Sequence, residues 1–74
     1  MKKEIEVASE VTGSVWKILF QIGQSVQADE PIMLIESMKM EIPVVSEKAG
    51  VISAVMVSEG DAVNEGDVVV RITI

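Results

Sequence analysis

The sequence predicts an all-β domain of about eight short strands, arranged as two small sheets about an approximate two-fold axis. Three observations carry this. First, hydrophobic residues make up 49% of the chain, enough for a core, yet Trp16 and Phe20 are its only aromatics. The core must therefore come from Val, Ile, Leu and Met, a set rich in the β-branched side chains that suit pleated, half-buried surfaces. Second, strand-length apolar runs are separated by Gly, Asp, Asn and Pro clusters, and none carries a sustained helical period. Third, the chain repeats itself, without a gap, at about half its length.

Taken in order, Glu4-Ile5-Glu6-Val7 alternates charged and apolar residues, the period of a half-buried strand. Thr12-Gly13 introduces a strand over Ser14–Phe20, and Ile22-Gly23-Gln24 reads as a turn. Val26 belongs to a short strand at best, before Ala28-Asp29-Glu30-Pro31 interrupts again. A long apolar run, Pro31–Val45, contains no Gly, Asn or Asp to mark a turn. After the Lys48-Ala49-Gly50 break comes Val51–Val57, rich in β-branched residues. Two clear turns, Ser58–Asp61 and Asn64–Asp67, precede a closing strand over Val68–Ile74.

The repeat overlays Gly13 on Gly50, Ile18 on Val55, Gly23 on Gly60, Val26 on Val63, Asp29 on Gly66 and Ile35 on Ile72. If each half presents one apolar sheet face, the two faces can bury each other. The same offset moves Lys39 back to Lys2 and forward to just past Ile74. The sequence thus predicts Lys39 at one tip of the domain and both chain ends at the other.

At 74 residues the chain is read as one domain, 1–74, near the lower size limit for folding without staples. It has no Cys and no His, which removes disulfides, thiolate metal sites and the commonest general base and zinc ligand. A hydrolytic enzyme is disfavoured, since no His- or Cys-based nucleophile–base pair can be assembled. The net charge of −6 opposes binding to nucleic acid or to an anionic membrane. The apolar runs are too short for a membrane span. Met1-Lys2-Lys3 leads straight into Glu4 and Glu6 rather than into a signal-peptide hydrophobic region, so a cytoplasmic protein is expected.

Glu36-Ser37-Met38-Lys39-Met40-Glu41 is the unusual stretch, a lysine between two methionines in the middle of the Pro31–Val45 run. Unpaired lysines are rarely buried, so Lys39 should stand outside whatever its Ile and Val neighbours bury. The stretch resembles the biotin-attachment motif of biotin carboxyl carrier domains, usually Ala-Met-Lys-Met, in which the lysine carries the cofactor. The resemblance to biotinyl and lipoyl domains covers nearly the whole chain, including the repeated Gly-x-x-Val turns, the Pro31–Glu36 lead-in and Gly60–Val70. It implies a flattened sandwich or barrel of two four-stranded antiparallel sheets with quasi-two-fold symmetry, the biotinyl/lipoyl hammerhead. It also implies that Met38 and Lys39 form a tight hairpin turn. No insertion separates Ser14–Phe20 from the Gly23 turn, so the chain is closer to thumbless carriers.

What the resemblance implies for function is a non-catalytic carrier, with biotin amide-linked to Lys39 by a biotin protein ligase. Met38, Met40, Ser37 and Glu36 accompany the lysine in recognition. Partners are then a biotin carboxylase and a carboxyltransferase, with an acyl-CoA as acceptor, and neither nucleic acid nor membrane. Ser37 departs from the usual alanine. In lipoyl domains the lysine usually lies in Asp-Lys-Ala, so lipoate is the alternative cofactor, for a 2-oxo-acid dehydrogenase system. An unmodified β-sandwich used as an interaction module is the remaining reading. Among other residues, Glu36 and Glu41 are as readily solvated strand charges as ligase contacts. Trp16 reads as a core or half-buried anchor, and Asp61 and Asp67 as turn caps. The five glycines read as residues of positive φ or tight packing.

Overall fold

Eight strands and no helix make up residues 3–74, the part of the chain that the computed structural model describes. They are β1 Glu4–Ala8, β2 Gly13–Ile18, β3 Ser25–Val26, β4 Pro31–Ser37, β5 Met40–Val45, β6 Gly50–Val55, β7 Ala62–Val63 and β8 Val68–Thr73. All pairings are antiparallel, in two four-stranded sheets ordered β1-β8-β6-β3 and β5-β4-β2-β7. The turnless Pro31–Val45 run is two strands, β4 and β5, folded back on each other at Met38 and Lys39.

The repeat is visible bond by bond at the 37-residue offset that carries Gly13 to Gly50. Val15 exchanges backbone bonds with Gly60 and Asp61 (2.7 and 2.8 Å), and its image Ile52 does so with Gly23 and Gln24 (2.8 and 2.9 Å). The bulge between Val15 and Lys17 matches that between Ile52 and Ala54. Among the described residues, the twelve buried hydrophobics form six image pairs: Val7/Val44, Val15/Ile52, Val26/Val63, Ile32/Val69, Met33/Val70 and Ile35/Ile72. Each such aliphatic side chain contributes about 1.5–3 kcal/mol on burial. The two buried polar residues, Ser9 and Ser46, are also images. Each hydroxyl donates to the carbonyl two residues on (Val11 at 2.6 Å, Lys48 at 2.8 Å) and accepts that residue's N–H, so burial leaves neither unsatisfied.

Two sequence expectations are corrected. The halves do not supply one sheet each; each sheet takes two strands from either half, since β1 pairs with β8 and β3 with β6 in one sheet, while β5 pairs with β4 and β7 with β2 in the other. Trp16 is not in the core. It is 47% exposed, with the Lys17 ammonium 5.8 Å from its ring centroid. The bulge leaves Trp16 with no opposite residue on β4, and with Val15 facing inward the indole is turned out.

Lys39 and the Lys3–Ile74 pair lie at opposite ends of the fold. Gly50, at the start of β6, abuts Thr73 and Ile74, and Ile74 and Lys3 exchange backbone bonds (2.7 and 3.2 Å). The segment leaving the far end of β6 bonds through Gly60 and Asp61 to Val15, two residues from the Gly13–Glu36 contact below the lysine hairpin. Lys2, the sequence image of Lys39, lies outside the described residues.

Candidate functional site: the lysine turn

The β4–β5 ladder closes through Ile35↔Ile42, Glu36↔Glu41 and Ser37↔Met40, leaving a two-residue turn of Met38 and Lys39. Their φ values are 51° and 65°. Positive φ at both central positions is the mark of a type I′ turn, whose twist suits the flanking strands but favours Asn and Gly. Left-handed backbone costs an ordinary L-residue about 1–2 kcal/mol, so the turn is held from below. Ile35 is fully buried and its partner Ile42 half-buried, which pins the register.

Beneath the turn, β2 comes unusually close. A β-carbon on Gly13 would land on the Glu36 carbonyl oxygen, so only glycine permits this approach. The Ser37 hydroxyl donates to the Thr12 carbonyl at 2.9 Å, and the Thr12 hydroxyl accepts the Glu65 N–H at 3.1 Å. Thr12 is a contact that sequence reasoning missed.

The structure brings all five sequence-predicted site residues together in this hairpin. Lys39 is exposed, Met38 is 92% exposed and Met40 is 62% exposed. Glu36 and Glu41 are cross-strand neighbours on one face, both exposed, a like-charge pairing that gives the hairpin base an acidic surface. Among the described residues, ion pairs join Arg71 to Glu4 and Glu6 (3.8 and 3.2 Å), and Lys39 takes part in neither. No group of three or more Asp or Glu among the described residues is placed to hold a metal ion. A groove of about 420 Å³ along β1 and residues 45–48 does not involve the turn. The turn thus presents the Lys39 primary amine to solvent. The other carboxylate expectations hold: Asp61 accepts the Ser58 N–H and Asp67 the Asn64 N–H, both at 2.8 Å, closing their turns as caps.

Two interleaved four-stranded sheets with an exposed lysine on a tight hairpin define an all-β sandwich that presents one amine at a hairpin apex. Comparison with known proteins gives the family. The family model described as "Biotin-requiring enzyme" (biotin/lipoyl) matches residues 6–72. The chain is 37% identical over 67 residues to a biotin/lipoyl attachment protein of Bacillus subtilis, covering 90% of this chain and 92% of that one. It is 42% identical over 60 residues to a biotin carboxyl carrier protein of Streptococcus mutans, covering 81% of this chain and 46% of that one. Among solved structures, the Kluyveromyces lactis urea carboxylase superposes with a TM-score of 0.90 at 34% identity, over 95% of this chain and 6% of the larger enzyme. The chain belongs to the biotin/lipoyl attachment family, and its fold is the biotinyl/lipoyl hammerhead.

Proposed function

We propose that this chain is a biotin carboxyl carrier, with biotin amide-linked to Lys39. The observation that carries the reading is the lysine turn: an exposed amine at the apex of a type I′ hairpin, between two exposed methionines, on a scaffold of the biotin/lipoyl family. The residues present fit the group, because Nζ of Lys39 faces open solvent and no ion pair among the described residues competes for it. When bound, biotin supplies a ureido nitrogen that takes up and releases a carboxyl group. The chain's own part is mechanical. Lys39 provides the nucleophilic amine for the ligase, and amide formation removes its charge. The hairpin holds the attachment point away from the core, and tethering keeps the attached group at high effective concentration for two separate active sites.

On this reading the chain acts as substrate and carrier rather than catalyst. The ligase, a biotin carboxylase and a carboxyltransferase are the partners this reading requires, with an acyl-CoA as the acceptor class. The Met-Lys-Met triplet supports biotin over lipoate. Streptavidin capture from cells expressing the chain tests the assembly: the wild type should bring down a biotin carboxylase and a carboxyltransferase, and Lys39→Arg neither. Capture by an anti-lipoyl reagent instead would transfer the chain to the lipoyl class.

A further inference from the structure

The duplication provides an internal control for what the lysine end carries beyond the shared scaffold. Among the described residues, most side-chain hydrogen bonds to backbone come in image pairs: Ser9 with Ser46, Gln24 with Asp61, and Glu30 with Asp67. Among those without an image, one joins Glu59 to Ile18, and two others meet at Thr12 beneath the lysine turn. At the opposite end the images of Thr12, Ser37 and Glu65 are Ala49, Ile74 and Ala28, which carry no hydroxyl. There the backbone pairing of Lys3 with Ile74 still forms, as the image of the Met40–Ser37 pairing. The scaffold therefore builds this register without the two hydroxyl contacts, and their presence at one end only concerns the turn.

The two contacts form a chain across the fold. Ser37, the residue entering the turn, is tied to a loop 25 positions earlier in sequence. Thr12 in that loop is tied to the turn 53 positions later, where Gly66 N–H binds the Ser9 carbonyl at 2.8 Å. We propose that Ser37 and Thr12 are positioning residues that clamp the hairpin base, keeping Met38 and Lys39 in the left-handed turn that the biotin ligase engages. This rests on the carrier reading and adds to it the device that sets the turn. With two non-glycine residues at positive φ, competing turn conformations lie close in free energy, and the clamp selects among them. A neutral hydrogen bond shifts such an equilibrium about fivefold. A ligand that needs one conformer binds more weakly in proportion to that conformer's population.

The test compares Ser37→Ala, Thr12→Ala and Thr12→Ser in the full chain. Steady-state biotinylation is measured with a biotin protein ligase, and backbone amide exchange is measured on the unmodified protein. The alanine variants should raise KM for the carrier about three- to fivefold with kcat unchanged, and speed exchange at Ser37 and Met40 but not in β6 or β8. Thr12→Ser should restore both. Wild-type KM and exchange in both alanine variants overturn the clamp. So does exchange accelerated evenly across both sheets, which would make these residues ordinary fold contacts. If the wild-type chain takes no biotin at all, the carrier reading fails, and the exchange data alone then decide the clamp.

Discussion

Gly13 lies so close to the backbone carbonyl of Glu36 that no β-carbon fits between them. The relationship is duplicated, with Gly50 against Thr73, where a β-carbon would come within 2.5 Å of the carbonyl oxygen. Alanine at either site forces backbone apart, and overpacking of this kind costs about 1–3 kcal/mol. Urea unfolding should show similar losses for Gly13→Ala and Gly50→Ala. Only Gly13→Ala should also slow biotinylation, because only Gly13 lies beneath the lysine hairpin. Equal biotinylation of the two variants would uncouple this approach from the site.

The turn itself stores strain that the scaffold could shed. Replacing Met38 and Lys39 together by Asn and Gly gives the pair that type I′ turns favour. This Met38→Asn/Lys39→Gly variant should be more stable than wild type by about 1–2 kcal/mol while losing the Lys39 amine. A urea midpoint at or below that of wild type would mean the turn carries no strain.

At Gly66, φ is 93° and a β-carbon would meet nothing within 4 Å, so substitution there isolates the backbone term. Its image, Asp29, already holds φ at 62°, since a short polar side chain tolerates this region. Gly66→Ala should therefore cost about 1–2 kcal/mol and Gly66→Asn distinctly less, read from denaturant midpoints. Equal costs would point to a side-chain contact rather than to φ.

Arg71 bridges Glu4 and Glu6 on an outer sheet face, with all three side chains between 41% and 55% exposed. Pairs this open contribute about 0–1 kcal/mol. The image of Arg71 is Leu34, so the backbone site accommodates an aliphatic side chain. Arg71→Leu should shift thermal stability by no more than about 1 kcal/mol, with little salt dependence. A larger loss would show that the network orders β1.

The elements legible in the sequence were those set by local chemistry and by the repeat. Glycines and aspartates marked the turns, β-branched residues the strands, and the gapless offset the pairing of Val15 with Ile52 as core equivalents. The lysine turn was legible through its motif, since Met38 and Lys39 lack the Gly or Asn that normally signals a I′ hairpin. What could not be read depended on crossings between distant segments. Trp16 faces out because of a bulge opposite β4, and hydropathy alone assigns an indole inward. The exchange of strands between sheets depends on long-range pairings such as β1 with β8 and β2 with β7, which composition does not encode. Thr12 acts on residues 25 and 53 positions away. The one trace of it in the sequence is that its image is Ala49.

The most direct test of the central claim is intact mass after incubation with a biotin protein ligase, biotin and ATP. Wild type should gain one biotin, mapped to Lys39 by peptide fragmentation, and Lys39→Arg should gain none although Lys2, Lys3, Lys17 and Lys48 remain. An unmodified wild type, or biotin still added to Lys39→Arg, would contradict the assignment.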